Sequence, residues 1–451
     1  MYFIIFIIIV TIAHPALALA LIRSYAYTLI RVRRCSPQNG YGHVPVYRAR
    51  QRSIGCSLAD SAESLRYGAW LEKASLAKNP LHVIYINTSL ETKAKSTAIV
   101  PTITCTSSNV VQTMLQAWHQ IPDLTLWYGP DTCMGYNLQT MFQTISETWT
   151  DEDIKAKLHP NHDRATVRKL RDNLNVFPSG NCVVHHMFSS SVVDTVKACY
   201  PDAYVSAHLE VPGEMFGIAM TKSLEGKGVV GSTADILKFI TEKVDEEASK
   251  AAGDGGNGKT LQFVLGTEAG MVSSVVSNVR KVLKSRGGGV QAEIIFPVAA
   301  EAVMADETSE LGGLVPGVSG GEGCSTAGGC ATCPFMKMND IDSVMDLIQM
   351  VINDPDDKQL VDFMPPMRLK DRMIKGRPAI DVGVESILHM RHFMSQRKVG
   401  HELIADVIER SGGERDVPQV KQRKQRRELS VVRVQDVMRK RRARLALAAP
   451  N

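Results

Sequence analysis

TITC-TSSN-VVQTMLQAW, residues 102–118, decides the fold class. Four apolar or β-branched residues read as a short buried strand. Small polar residues follow, and then an apolar pattern at helical spacing begins. The same succession returns as GVV-GST-ADILKFI (228–240) and as FVL-GTE-AGMVSSVV (263–276). Working outward, LHVIYI (81–86), TLWY (125–128), CVV (182–184), AYVSAHL (203–209) and EIIFPV (293–298) read as further strands. Segments 191–200, 234–249, 271–285 and 341–352 read as helices, and 249–258 and 287–289 as loops. Strands alternating with helices predict an α/β protein whose short parallel sheets are covered on both faces. Each strand-to-helix corner offers free N–H groups and a helix dipole, which attract phosphate or carboxylate. Ser107, Ser232 and Thr233 stand at such corners, where they are either ligand contacts or ordinary helix caps.

The 451 residues leave room for two to four domains by length alone. A 44% hydrophobic content excludes a disordered chain, and 6% aromatics argues against a stacking platform for single strands. Charge is segregated. Residues 1–52 carry +7, residues 414–451 carry +8, and the middle carries −10. The body is therefore an ordinary acidic globule and nucleic acid is not an expected partner. Residues 2–22 are apolar and uncharged, long enough for a membrane helix, with Arg23, Arg31, Arg33 and Arg34 behind them. A mispredicted first exon reads equally well, and a cleaved signal would want a basic start. The basic tail reads first as a solvated extension, and second as an RNA, lipid or targeting patch.

Nine cysteines are too sparse for a disulfide scaffold. Cys324, Cys330 and Cys333 form the densest group, open to a zinc, iron–sulfur or local disulfide reading. Cys56, Cys182 and Cys333 are spaced 126 and 151 residues apart, about one domain each. Three thiolates at three domain junctions could converge on one iron–sulfur centre that keeps an open iron. Such an iron is a Lewis acid, which points to dehydration chemistry.

Longer strings identify a resemblance. IGCSLAD (54–60), YINTSLETKA (85–94), VPTITCTSSNVVQT (100–113), WYGPD (127–131), GEMFGIAM (213–220), GVVGSTADIL (228–237), VLGTEAGMV (264–272) and the GEGC…GGCATCPFMKMN stretch (321–339) together resemble quinolinate synthase of the plant and algal type. The resemblance runs from His43 to Arg410, and ESILHMRHF (385–393) is similar to the C-terminal extension of the plant-type enzymes. It implies α/β/α domains repeated around a pseudo-threefold axis and a [4Fe–4S] cluster on Cys56, Cys182 and Cys333. Cys105, Cys133, Cys324 and Cys330 fall outside that ligand set, and the last two are either a redox pair or free thiols. The implied reaction condenses iminoaspartate with dihydroxyacetone phosphate to quinolinate, for NAD synthesis. By motif, Tyr85, His208 and Glu210 are the catalytic residues, with Asn87, Ser107, Ser232 and Thr233 around the substrate. His208 and Glu210, two apart at a strand end, are expected to point to one side. His185 is either a neighbour of the cluster or a plain helix residue.

The implied organisation is a non-family segment (1–42), a remnant of a first domain (43–79), two α/β domains (80–182 and 183–335), a helical extension (336–410) and a basic tail (411–451). A first-domain motif with His and Tyr is expected before residue 43 and is not found; His14 and Tyr25 stand in the wrong context. The competing expectation is an inactive or truncated iron–sulfur scaffold of the same family, and a third is an RNA-binding protein using the tail. Implied partners are L-aspartate oxidase, cluster-assembly and sulfur-transfer proteins, and a second copy of the chain. The implied compartment is the plastid, with the cytoplasm and a membrane anchor as alternatives.

Overall fold

The computed structural model describes residues 55–254, 259–286, 289–298, 341–363, 369 and 371–412. The apolar residues 2–22, the basic tail, and Cys324, Cys330 and Cys333 lie outside them. Among the described residues no helix is long and apolar enough to cross a membrane.

The chain divides into two units. The larger holds two four-stranded sheets and a short antiparallel pair, Met373–Ile374 with Arg377–Pro378. Its first sheet is built from β1 (Pro80–Tyr85), β2 (Thr102–Cys105), β3 (Thr125–Gly129) and β4 (Leu174–Val176). The strand order is β2-β1-β3-β4, all parallel. Every residue of β1 and β2 is buried, as expected for parallel strands covered on both faces. The connecting helices are α3 (Leu90–Ile99), α4 (Val110–Gln120), α5 (Thr132–Thr148) and α6 (Arg164–Asp172). Two earlier helices are α1 (Ser57–Glu63) and α2 (Leu65–Ala74), and α2 is tied to this sheet by an aromatic cluster. There Tyr67 and Trp70 pack on His82, Trp127 and Phe177, and the Tyr67 hydroxyl lies 2.8 Å from His82 Nε2.

The second sheet repeats the first. After α7 (Ser190–Cys199) come β5 (Tyr204–His208), α8 (Gly213–Leu224), β6 (Gly228–Gly231), α9 (Thr233–Asp254), β7 (Lys259–Gly266), α10 (Gly270–Arg286) and β8 (Val290–Ile295). Its order, β6-β5-β7-β8, is the same topology, and its pairs are also parallel. The repeated α/β architecture read from the sequence is therefore present. One apolar core runs from Leu126, Leu138 and Phe142 on the first sheet's side to Leu209, Met215 and Phe216 on the second's.

One strand lies elsewhere than expected. CVV (182–184) is a turn, and the fourth strand of the first sheet is Leu174–Val176 instead. Cys182 starts a tight bend in which His186 N–H donates to the Cys182 carbonyl. Val184 is buried there without strand pairing, so its hydrophobicity mimicked a strand.

Helices α11 (Ile341–Asn353) and α12 (Leu360–Phe363) belong to the smaller unit. The larger unit resumes with α13 (Ala379–Gln396) and α14 (His401–Glu409). Helix α13 lies on α3 and β2, and Thr104 Oγ1 donates to Ser386 Oγ at 3.0 Å.

Gly135 shows how tightly α5 seats on the first sheet. A Cβ there would run into both γ-carbons of Val176 and the Tyr128 ring. We expect Gly135→Ala to destabilise the chain by about 1–3 kcal/mol through overpacking, read from the urea midpoint. A midpoint equal to that of the parent would contradict this packing.

Candidate active site

In open parallel sheets, ligands bind beyond the carboxyl ends of the strands where the strand order reverses. In the first sheet that point lies between β1 and β3. Tyr85 ends β1, and Asp131 follows β3. In the second sheet it lies between β5 and β7. His208 ends β5, and Thr267 and Glu268 follow β7.

The chain brings these places together. The Tyr85 hydroxyl donates to Glu210 Oε1 at 2.5 Å. His185 Nδ1 lies 3.0 Å from Glu210 Oε2 and 3.3 Å from Cys182 Sγ. Cys182, His185 and Glu210 offer three ligand atoms within 4.8 Å of one another, a group able to hold a metal ion. The His208 ring stacks on His185, with centroids 4.7 Å apart and planes 13° off parallel. An ionised carboxylate only accepts, so His185 carries its proton on Nδ1 in this arrangement. His185 Nε2 is then a buried nitrogen with no protein partner.

The local folding explains the convergence. Glu210 is not on strand β5, which ends at His208. It sits in the following turn, where its N–H donates to His208 Nδ1 at 3.3 Å. So Glu210 is tied to the His208 ring by its backbone N–H in a turn, rather than by strand alternation. His185 reaches the site because the bend at Cys182 places it one short turn later.

Electrostatics separate the acids. Burial pushes the Glu210 carboxyl up, but His185, His208 and the Tyr85 hydroxyl outweigh it and hold it at about 2. Burial, reinforced by the Glu210 charge, raises the Tyr85 phenol well above its usual range. Burial lowers His208 to about 4. Burial and the Glu210 charge raise the Cys182 thiol. Asp131 is also raised, first by burial and then by Glu210. Its Oδ1 accepts the Met134 N–H at 2.8 Å, and its Oδ2 is buried without a partner.

Of the residues expected around the substrate, Tyr85, His208 and Glu210 are joined by the contacts above. Asn87 is half-buried in the loop after β1, and Ser107 is half-buried in the turn before α4. Ser232 caps α9: its hydroxyl donates to Asp235 Oδ2 at 2.6 Å and accepts the Asp235 N–H at 3.3 Å. Thr233 opens the same helix and is exposed. Cys56 sits at the N-terminal cap of α1, half-buried. The adjacent Ser57 hydroxyl donates to the Asn181 carbonyl at 2.9 Å, which brings the Cys56 and Cys182 segments to one corner. Cys133 joins that corner, with Sγ 3.6 Å from Asn181 Oδ1. All three are free thiols.

Sequence reading missed Asp131 and Lys93. Asp131 was visible only as part of the WYGPD string, and its burial comes from tertiary packing. Lys93 is 2% exposed, and its ammonium donates to the Ile86 carbonyl and to both oxygens of Thr88. It thereby fixes the loop that carries Asn87. Burial lowers its pKa to about 7. The unfolded chain holds this proton up to about pH 10.4. Between those values the unfolded state binds more protons, so the Lys93 contribution to stability rises with pH by about 1.4 kcal/mol per unit. Below pH 7 the penalty of the buried charge is complete. Lys93→Met should abolish this rise, seen as a smaller difference in unfolding free energy between pH 7.5 and 9.5, roughly the window those pKa values set. An unchanged difference would mean Lys93 does not titrate there.

A family model described as "Quinolinate synthetase A protein" matches residues 46–284. The chain belongs to this family. Chloroplastic quinolinate synthase of Nicotiana tabacum is 46% identical over 380 residues, which is 82% of this chain and 51% of the relative. That of Arabidopsis thaliana is 44% identical over 387 residues, covering 84% and 52%. Quinolinate synthase of Saccharolobus solfataricus is 27% identical over 223 residues, covering 49% and 52%. The chain thus spans about half the length of the curated relatives it matches. The family segment contains half-buried Cys56 and Cys182 and buried Tyr85, His185, His208 and Glu210, hence the whole cluster of polar groups.

Proposed function

We propose that this chain forms a quinolinate synthase active site, condensing iminoaspartate with dihydroxyacetone phosphate and releasing phosphate and water. The observation that carries the reading is the line from half-buried Cys182 through buried His185, Glu210 and Tyr85, set where both four-stranded sheets reverse their strand order. Quinolinate would then feed NAD synthesis.

A [4Fe–4S] cluster belongs to this reading, and the donor set fits it. Burial and the Glu210 charge raise the Cys182 thiol, and the nearby backbone N–H groups of Val184 and His185 partly offset them. Cys56 shares the corner, and soft thiolates suit iron–sulfur chemistry. Cys56, Cys182 and Cys333 would hold the cluster. When bound, it supplies an open iron that polarises a substrate oxygen.

The protein groups handle protons. Glu210, ionised though buried, is the proton acceptor for a carbon acid of the condensing substrates, although the contacts that hold its pKa low also weaken it as a base. Tyr85 keeps its proton and orients the Glu210 carboxylate. His185, held by Glu210 through Nδ1, leaves Nε2 free to accept a proton or bind a substrate O–H. His208 stacks on His185 and restricts its rotation. Asp131 Oδ2 is the second unpartnered polar atom of the site. Asn87 offers an amide to a carboxylate. Ser107 and Thr233 offer hydroxyls at helix starts, whereas Ser232 is already engaged in capping.

Iminoaspartate is unstable and has to be supplied by an L-aspartate oxidase, and cluster-assembly and sulfur-transfer proteins would load the iron site. A plastid location is the companion proposal, supported by the chloroplastic relatives. The test is quinolinate formation by the anaerobically reconstituted chain given both substrates. Turnover is expected. A fully loaded cluster with no product would favour an inactive scaffold of the same family.

A further inference from the structure

Asn137, on α5, is 2% exposed and carries no role in the chemistry above. Its side-chain amide donates to the Leu209 carbonyl at 2.9 Å and to the Val211 carbonyl at 2.7 Å. These two carbonyls flank Glu210. They belong to a turn 72 and 74 residues away in the chain, at the end of the second sheet's β5, while α5 follows β3 of the first. We infer that Asn137 is a positioning residue, which fixes the backbone of the Leu209–Val211 turn and so aims the Glu210 carboxylate at Tyr85 and His185. This rests on the reading of Glu210 as the base.

The other bonds of the turn leave little freedom. Leu209 N–H donates to the Gly231 carbonyl and Val211 N–H to the His208 carbonyl. Glu210 N–H donates to His208 Nδ1. With both flanking carbonyls held by Asn137, only the Glu210 side-chain torsions remain. Few residue types can do this. A primary amide carries two N–H donors on one nitrogen. Ionised aspartate would face two carbonyls with no donor, leucine has no donor, and glutamine is one carbon too long for a fully buried space. Helix α5 is itself anchored, because Asp131 caps its first turn and Gly135 packs flush on the first sheet. The contact therefore transmits the position of one sheet to the base carried by the other.

The test is a double-mutant cycle with full-length, anaerobically reconstituted protein. Asn137→Ala is measured alone and in a Glu210→Gln background, with kcat, KM, melting temperature and cluster absorbance as readouts. Asn137→Ala is expected to lower kcat by about a hundredfold, as misplacement near 1 Å does, with KM within about threefold and the cluster retained. In the Glu210→Gln background the further loss of kcat should vanish, while the fall in melting temperature stays the same. Should Asn137→Ala fail to fold, Asn137→Ser keeps one hydroxyl donor and is expected to lose about tenfold in kcat with the same dependence on Glu210. A normal kcat with a lower melting temperature would overturn the inference, leaving Asn137 a structural strut. An equal kcat loss in both backgrounds would overturn it as well. If Glu210→Gln alone keeps full kcat, the reading of Glu210 fails and the inference falls with it, a pattern distinct from the first two.

Discussion

Glu210→Gln is expected to lower kcat for quinolinate formation by about 10²- to 10⁴-fold, the range for removing a positioned general base. The substitution is close to isosteric. The new side chain would be a buried amide whose oxygen can still accept from the Tyr85 hydroxyl, 2.5 Å from the carboxylate in the parent. Its NH₂ would face His185 Nδ1, now 3.0 Å from the carboxylate, and the imidazole can answer by moving its proton to Nε2. The fold and cluster should therefore survive, and KM should move less than kcat. What is lost is a carboxylate that burial disfavours and that His185, His208 and Tyr85 together keep ionised. Steady-state kinetics with melting temperature and cluster absorbance as controls decide the matter. A kcat within about threefold of the parent, far short of the loss expected for a general base, would remove Glu210 from the chemistry.

The fold class was legible because parallel strands buried on both faces are short apolar runs. Residues 81–86 and 102–105 stand out against polar helix starts for that reason. The edge strand β4 was not legible. It has three residues, one of them Asn175, and two of the three are only half-buried. In its place CVV looked like a strand, since Val184 is buried for reasons of loop packing. The site was partly legible. Tyr85 lies in a string that resembles a known family, the resemblance implies His208 and Glu210 by motif, and the structure joins the three. Spacing alone misled on how His208 and Glu210 meet, because strand alternation was applied beyond the strand's end. Lys93 holds the loop five to seven residues before it and Asp131 is set apart by its burial, whereas His185 and Asn137 matter through contacts with residues 25 to 74 positions away. No local pattern records such contacts. Asn137 carries no reading from sequence, and only its partners 72 and 74 residues away set it apart.

Cys182→Ser is expected to leave the reconstituted chain with less than about a tenth of the parent's bound iron and sulfide, because a hard hydroxyl replaces a soft thiolate ligand. Activity should fall at least as far. Burial and the nearby Glu210 charge raise the Cys182 thiol, so the proton must be displaced when metal binds. The Val184 and His185 N–H groups and His185 Nδ1 surround the sulfur and are ready to stabilise the thiolate that results. His185→Ala should weaken cluster retention by about 10- to 100-fold in affinity, the usual effect of removing a group that supports a metal ligand, without abolishing binding. Cys133→Ser separates ligation from mere proximity. Cys133 is a free thiol at the same corner, against Asn181, but stands outside the implied ligand set. It should keep the brown chromophore and the iron. Loss of the chromophore in Cys133→Ser together with retention in Cys182→Ser would reverse the ligand assignment. Retention in both would mean that this corner does not hold the cluster, and Glu210 and Tyr85 would then need another reason to be buried together.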